Sequence, residues 1–256
     1  MIKIIFFDID GTLLELGAKA MHSELIDALN TLHKKGIKLF LATGRPPFVI
    51  PSFNDVYFDG ALAFNGAYCY SKDNLIYKNP LDSKDINTFI ENAKKMNHAV
   101  TLAGLEKMGC NFHDEILEEY FKIANQEIHI FSDYDTFKSN EIYQMMVAST
   151  LNEEENLLKG TSTLQIARWW DKAVDIIPKN GGKDKGIEAI LKYYDIKKEE
   201  AMAFGDGGND KTMLSSVGYG IAMGNATDDV KKVADYVTDT VQNDGIIHAL
   251  KYFKIL

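Results

Sequence analysis

The sequence has 256 residues, of which 46% are hydrophobic, and its 28 basic and 37 acidic side chains give a formal net charge of −9. At about 150 residues per domain, this length predicts one large or two modest packed domains and excludes a disordered chain. The net negative charge argues against a protein that binds the phosphate backbone of nucleic acid, because such binding needs clustered Lys and Arg. Any phosphate binding must therefore be local.

Cysteines and apolar runs indicate the compartment. Only Cys69 and Cys110 occur, too few for a disulfide framework or a cysteine-based zinc site. No segment approaches the roughly 18 uninterrupted apolar residues of a membrane span, and the apolar run at residues 4–7 is too short for a signal sequence. These features predict a cytoplasmic protein without a membrane partner.

The first part of the chain has the pattern of a parallel sheet with crossover helices. The apolar run at 4–7 predicts a strand buried on both faces, and a helix at about 23–35 leads to a second strand at 37–42. Further strand-like runs at 61–64 and 67–70 flank the turn Asn65-Gly66. This order predicts a right-handed crossover unit.

The middle of the chain differs in pattern from the two ends. A helix at 83–96 is followed by short strands that often succeed each other directly, which predicts a mixed or antiparallel sheet. These strands are expected at 99–103, 108–113, 142–148, 163–168 and 173–177, with an acidic helix at 152–158. Alternation of strand and helix then returns, with strands at 201–204, 219–222 and 236–238 and helices at 185–194 and 226–234.

We therefore predict an α/β protein whose core is a doubly wound parallel sheet. The core is discontinuous, formed by residues 1–81 and 181–256, and residues 82–180 form an inserted α+β domain.

Two acids follow the first predicted strand. Asp8 and Asp10 are two residues apart, so their carboxylates leave the same face at the carboxyl end, where parallel sheets build ligand sites. One acid here could simply cap the next turn. A stacked pair repels unless a cation joins it, which favours a functional site.

Polar groups that can bind phosphate follow the second strand and the inserted domain. Thr43, Gly44 and Arg45 can all donate to a phosphoryl oxygen, although such a tripeptide also makes an ordinary turn. Lys183 lies where the chain returns to the core, ahead of a predicted helix. Each signal alone is weak.

A glycine-rich turn at 205–210 follows another core strand. Asp206, Asn209 and Asp210 supply the hard oxygen ligands that Mg²⁺ prefers. The glycine spacing does not match the dinucleotide-binding fingerprint, because Asp210 stands where the third glycine belongs. A metal site is therefore favoured over a dinucleotide site.

Together these motifs resemble those of the haloacid dehalogenase superfamily. They occur in the family's order, as Asp-Ile-Asp-Gly-Thr-Leu-Leu at 8–14, Thr-Gly-Arg at 43–45, Lys183, and Gly-Asp-Gly-Gly-Asn-Asp at 205–210. The insertion between the second and third motifs, with a late Asn-Asp-Gly at 243–245, is similar to the Cof-type phosphatases. That resemblance implies a Rossmann-like core and a mixed α/β cap of the C2B type.

The resemblance also implies roles for individual residues. Asp8 would be the nucleophile and Asp10 the general acid and base. Mg²⁺ would be held by Asp8, the main-chain carbonyl of Asp10 and Asp206, with Asp210 behind them. The groups implied to bind the phosphoryl group are Thr43, Lys183, Asn209 and the amides of Ile9 and Gly44. Arg45, and Arg168 in a predicted cap turn, are implied substrate or cap contacts.

The implied activity is hydrolysis of a small phosphorylated metabolite, commonly a sugar phosphate. Two other functions stay open. A phosphosugar mutase would keep the same nucleophile and return the phosphoryl group to a sugar. A nonhydrolytic protein could bind a phosphate ligand in the same pocket, although intact Asp8, Asp10, Lys183 and Asp206 weigh against it. The sequence does not determine the oligomeric state.

Overall fold

A computed structural model describes residues 1–123 and 126–256. The strands within these ranges are β1 (Ile4–Phe7), β2 (Lys38–Ala42), β3 (Gly60–Ala63), β4 (Tyr68–Ser71), β5 (Leu75–Lys78), β6 (Val100–Ala103), β7 (Met108–Cys110), β8 (Gln144–Ala148), β9 (Leu164–Ala167), β10 (Ala173–Pro178), β11 (Ala201–Gly205), β12 (Tyr219–Ala222) and β13 (Tyr236–Val237). The helices are α1 (Ser23–Lys34), α2 (Ser83–Lys95), α3 (Glu115–Ile123), α4 (Tyr134–Phe137), α5 (Glu154–Leu158), α6 (Lys183–Tyr193), α7 (Lys211–Ser216), α8 (Asp228–Lys231) and α9 (Gly245–Tyr252). Across the described residues, none of these helices is long and apolar enough to cross a membrane.

Eight strands form the larger sheet, in the order β13-β12-β11-β1-β2-β3-β4-β5. The strands from β13 to β3 are parallel, and β4 and β5 add an antiparallel hairpin at one edge. Ile5 and Phe7 of β1 pack into the core on one face, whereas Ile4 and Phe6 pack on the other. Because β1 is buried on both faces, it lies at the centre of the sheet. The predicted doubly wound α/β class is confirmed.

Five strands form a second sheet, in the order β7-β6-β8-β10-β9, and all neighbours are antiparallel. Phe89 of α2 and Val147 of β8 belong to its apolar core. We call this sheet with α2 to α5 the cap, and the larger sheet with the remaining helices the core. The chain enters the cap after β5 and leaves it after β10, close to the predicted boundaries at 81/82 and 180/181, which themselves stay a prediction.

Helix α6 differs from the sequence prediction in a way that matters for the site. It begins at Lys183, two residues before the predicted start, and Gly182 caps it with a φ of 127° that favours glycine. Helix α3 is not among the sequence predictions, although its buried Leu117, Tyr120 and Phe121 have the i, i+3, i+4 spacing of an amphipathic helix. Helix α3 contributes side chains to the cavity described next, and the first residue of α6 contacts Asp8, which lines that cavity.

Candidate active site

The carboxyl ends of three core strands meet the start of α6 at one edge of the larger sheet. Asp8 follows β1, Thr43 follows β2, Asp206 follows β11, and Lys183 is the first residue of α6. The backbone of Gly11, which follows the first acidic motif, lies close to the side chain of Asp206. A Cβ at this position would lie 2.2 Å from Asp206 Oδ2, and the φ of 87° also favours glycine. The structure thus brings the separate sequence motifs together at one point.

Lys183 forms a buried ion pair with two of these acids. Its Nζ lies 2.6 Å from Asp8 Oδ1 and 2.5 Å from Asp210 Oδ1, and its side chain is fully buried. Burial disfavours the ammonium, but Asp210 and Asp8 outweigh it and raise the pKa of Lys183. Asp210 Oδ2 accepts from the amides of Asp206 and Gly207, both at 2.9 Å. Asp210 therefore uses both oxygens to hold Lys183 and the glycine-rich turn.

Asp8, Asp206 and Asp210 form a crowded acidic cluster. One carboxylate oxygen from each lies within 4.8 Å of the others. Burial and the nearby Asp210 raise the pKa of Asp8 well above its ordinary value, and the same two causes raise the pKa of Asp206 to about 7. Thr12 Oγ1 and Asn225 Nδ2 donate to Asp206 at 3.0 and 3.2 Å. This excess of negative charge on hard oxygen donors fits a small divalent cation.

Asp10 is paired with Arg45 rather than with Lys183. The guanidinium donates from Nε to Asp10 Oδ2 at 2.8 Å and from Nη2 to Oδ1 at 2.7 Å, a bidentate geometry. The Asp10 side chain remains 29% exposed and lines the same cavity as Asp8. Arg45, expected at the substrate or the cap, thus contacts the other acid of the first motif.

Most of the implied phosphate-binding residues also lie along this cavity, whose volume is about 670 Å³. Thr43 is buried, and its Oγ1 accepts from the amide of Arg45 at 3.1 Å. The carbonyl of Gly44 accepts from Gln144, and the side chain of Asn209 donates to Asn65.

The cap forms the opposite wall of the cavity, and it is largely aromatic. Its apolar lining residues are Met108, Tyr120, Phe121, Ile123, Met146, Trp169 and Trp170. The cap turn that carries the two Trp residues packs on the glycine-rich turn, since a Cβ on Gly208 would lie 2.6 Å from the Arg168 carbonyl oxygen.

The guanidinium of Arg168 stabilises that cap turn. It donates to Glu154 at 2.8 Å and to the carbonyls of Ser149, Trp170 and Asp171 at 2.8 to 3.1 Å. Arg168 lines the cavity, but these partners use its donors within the cap. Its predicted role as a substrate or cap contact stays a prediction.

Sequence reasoning missed several polar residues that link the cap to the core. Asn65 was interpreted only as a hairpin turn, and Gln144, Asp175 and Tyr120 were not singled out. The structure buries all four and joins them by hydrogen bonds. The available signal was Asp175, a carboxylate in an otherwise apolar strand, where a buried acid requires partners.

A family model of the haloacid dehalogenase-like hydrolases matches residues 5–250. The chain therefore belongs to this family, which confirms the resemblance found in its motifs. The match runs through core and cap alike.

Individual relatives extend over the same length. The YkrA protein of Bacillus subtilis (strain 168) is 30% identical over 257 residues, covering 99% of this chain and 98% of that protein. The 5-amino-6-(5-phospho-D-ribitylamino)uracil phosphatase YitU of the same bacterium is 26% identical over 270 residues, covering 98% of each.

Solved structures of the superfamily are also similar. The phosphatase BT1666 from Bacteroides thetaiotaomicron is 34% identical with a TM-score of 0.92, covering 100% of this chain and 96% of that one. The subclass IIB sugar phosphatase BT4131 is 34% identical with a TM-score of 0.90, covering 99% of this chain and 100% of that one.

Proposed function

We propose that this protein hydrolyses small phosphomonoesters in a Mg²⁺-dependent reaction, with Asp8 as nucleophile and Asp10 as general acid and base. The observation that carries the proposal is Asp8 itself, a carboxylate at the end of the central strand that Lys183 holds at 2.6 Å beside the cavity. Family membership and the named phosphatases among the relatives support this class of reaction.

The charges at this edge support a divalent metal. Four carboxylates and two cationic side chains meet there, which leaves two negative charges uncompensated. Asp8, Asp206 and the main-chain carbonyl of Asp10 would hold Mg²⁺. When bound, Mg²⁺ would neutralise charge on the phosphoryl group and suppress its repulsion from the acids. Asp210 lies behind them, since its oxygens already serve Lys183 and two amides.

In the first step, a carboxylate oxygen of Asp8 attacks phosphorus and the bond from phosphorus to the leaving oxygen breaks. Protonated Asp10 gives its proton to that oxygen, which leaves as an alcohol. Arg45 donates to both oxygens of Asp10 in the present structure, and because a protonated oxygen is a weaker acceptor, this pairing weakens when Asp10 carries the proton. The product of this step is an aspartyl phosphate on Asp8.

In the second step, water attacks the phosphorus of the aspartyl phosphate. The Asp10 carboxylate takes the proton of that water, the bond from phosphorus to Asp8 breaks, and inorganic phosphate leaves. Lys183, Thr43 and Asn209, with the amides of Ile9 and Gly44, would bind the phosphoryl oxygens throughout. Donors directed at these oxygens stabilise the charge that they carry in the transition state.

The leaving group would face the cap wall. A cavity of about 670 Å³ accommodates a small metabolite. We propose sugar phosphates or similar metabolites as substrates, a class supported by the similarity to the sugar phosphatase BT4131.

Phosphate release from a panel of substrates tests this function. The panel contains sugar phosphates, nucleotides, pyridoxal phosphate and flavin mononucleotide, each assayed with and without Mg²⁺. We expect release from at least one class, and only with the metal. Release from none would contradict hydrolysis and favour a binding protein, whereas isomerised phosphosugar without free phosphate would identify a mutase.

A further inference from the structure

Asn65 joins the cap to the core at the phosphate-binding side of the cavity. The residue is 1% exposed, and its φ of 51° lies in the left-handed region. Its Nδ2 donates to Gln144 Oε1 at 3.0 Å and to Asp175 Oδ2 at 2.9 Å, and both acceptors belong to cap strands. Its Oδ1 accepts from Asn209 Nδ2 at 2.8 Å. One core side chain thus contacts two cap residues and one implied phosphate-binding residue.

These contacts fix the orientation of the Asn65 amide. Both of its N–H groups are donated to the cap, so its single oxygen must face Asn209. Asn209 uses one N–H on Asn65, and under the proposed function its second N–H donates to a phosphoryl oxygen. The cap therefore determines, through Asn65, how Asn209 is presented.

A second connection reaches Gly44. Gln144 Nε2 donates to the Gly44 carbonyl at 3.2 Å. A Cβ on Gly44 would lie 3.1 Å from Asn65 Nδ2 and 3.2 Å from Asp175 Oδ2. The backbone of Gly44 therefore lies directly against the side chains of Asn65 and Asp175. The neighbouring peptide plane, which carries the Gly44 amide, is held by the Asn65 backbone, whose N–H donates to the Thr43 carbonyl at 3.0 Å.

The cap side of this arrangement is a directed chain of hydrogen bonds. Trp169 Nε1 donates to Tyr120 Oη at 3.1 Å, and Tyr120 donates to Asp175 Oδ1 at 2.5 Å. With Asn65 donating to the other oxygen, the buried carboxylate of Asp175 accepts from both sides. If the cap left the core, Asp175 would keep Tyr120 but lose Asn65, and Gln144 would lose both Asn65 and Gly44, so three hydrogen bonds favour the docked position.

We propose that Asn65, Gln144 and Asp175, which we call the cap junction, couple docking of the cap to assembly of the phosphate site. They act as positioning residues for Asn209 and the Gly44 amide. The inference rests on the proposed function, because it assigns the phosphate site to these two groups. A cap that is not docked leaves the site incomplete, so phosphate affinity depends on residues that do not touch phosphate.

Calorimetric titration with inorganic phosphate in the presence of Mg²⁺ tests the coupling. Inorganic phosphate has no leaving group to contact the cap wall, so a change in its affinity reports on the phosphate site alone. We expect Asn65→Ala to weaken phosphate binding about tenfold, the effect of losing one hydrogen bond to a charged group. Gln144→Leu should weaken it several-fold, although this cap residue does not touch phosphate. The double variant should lose less affinity than the sum of the two single losses, because both substitutions break the same hydrogen bond between Asn65 and Gln144.

Asn92→Ala is the matched control. Asn92 also donates both of its N–H groups, to the carbonyls of Leu157 and Lys159, but it lies between α2 and α5 of the cap. This variant should bind phosphate as the wild type does. Melting curves report whether each variant is folded. If Asn65→Ala does not fold, the phosphate affinity of Gln144→Leu tests the coupling.

Three outcomes overturn the cap junction: wild-type phosphate affinity in Asn65→Ala and Gln144→Leu, strictly additive losses, or an equal loss in Asn92→Ala. Failure of the proposed function is a separate result. If the wild type binds phosphate but hydrolyses no ester, hydrolysis is contradicted and the binding comparison still decides the coupling. No phosphate binding by the wild type overturns the cap junction, and phosphate release from the substrate panel then tests the proposed function separately.

Discussion

The catalytic edge of the core and the cap wall that faces it compensate buried charge in different ways. At the edge, the single ammonium of Lys183 offsets only part of the charge of Asp8 and Asp210, and the remaining charge fits a metal ion. In the wall, the hydrogen-bond donors to the buried carboxylate of Asp175 are, among the described residues, the neutral Tyr120 and Asn65. Under the proposed function the core edge supplies the chemistry and the cap supplies position, so substitutions on the two sides should have separable effects.

The largest expected effect belongs to the core edge. Asp8→Asn should lower kcat by about 10⁴-fold or more, because the amide cannot form the acyl phosphate. Burial and Asp210 raise the pKa of Asp8, so a neutral side chain there should not lower the melting temperature. Phosphate release measures the turnover of the variant, and thermal unfolding measures its melting temperature. Near-normal turnover in this variant would remove Asp8 from the mechanism.

Asp10→Asn should slow turnover of an alkyl phosphate by about 10² to 10⁴-fold, because its leaving oxygen needs a proton. With p-nitrophenyl phosphate the leaving group needs none, so the first step should persist. Stopped-flow absorbance should then record a burst of one nitrophenolate per enzyme before slow turnover. An unchanged rate with the alkyl phosphate contradicts the role of Asp10.

Lys183→Met tests charge compensation directly. Removing one partner of a buried ion pair typically destabilises a protein by about 3 to 5 kcal/mol. The matched control is Lys185→Met, which loses only an exposed pair with Glu188 and should change stability by about 0.5 kcal/mol or less. Urea unfolding at neutral pH compares the two. Equal effects would mean that Lys183 does not hold the acids together.

The smallest expected effect is a pH dependence in the cap. Burial raises the pKa of Asp175 from 3.8 to about 6, against the opposing hydrogen bonds from Tyr120 and Asn65. The folded state therefore holds this proton more tightly than the unfolded state, so the contribution of Asp175 to stability falls as pH rises from about 4 to about 6. About two pKa units correspond to roughly 3 kcal/mol.

Asp175→Asn should remove that fall. The free energy of unfolding, measured from about pH 4 to pH 7, should drop more steeply for the wild type than for Asp175→Asn. The difference between the two curves isolates Asp175 from Asp8 and Asp206, whose pKa values are also raised. Parallel curves would show that the carboxylate is not desolvated in the cap.

The same comparison explains what the sequence could predict. Asp8, Thr43 and Asp206 each follow an apolar run, and parallel strands align their carboxyl ends, so local patterns were enough to place them together. Lys183 was predicted at the same edge, although the start of α6 was set two residues late. The positions of these residues follow from the alignment of parallel strands, so they can be predicted without knowledge of particular long-range contacts.

The cap junction could not be predicted in this way. Asn65 lies 79 residues from Gln144, 110 from Asp175 and 144 from Asn209 in the chain. Each local pattern there has an ordinary interpretation, a turn or a strand. Arg45 presents the same difficulty, because its neighbours in sequence do not determine whether it pairs with Asp10, the cap or a substrate.

Trapping the covalent intermediate tests the central claim most directly. The Asp10→Asn variant, with Mg²⁺ and a substrate labelled in its phosphoryl group, is quenched in acid. One portion is digested in acid to map the labelled peptide, and a second is reduced with borohydride, which releases the phosphate and converts a phosphorylated aspartate to homoserine. We predict label on the peptide that contains Asp8, conversion of residue 8 to homoserine, and no label in Asp8→Asn. Hydrolysis of the substrate without label on that peptide, or with label elsewhere, would contradict nucleophilic attack by Asp8.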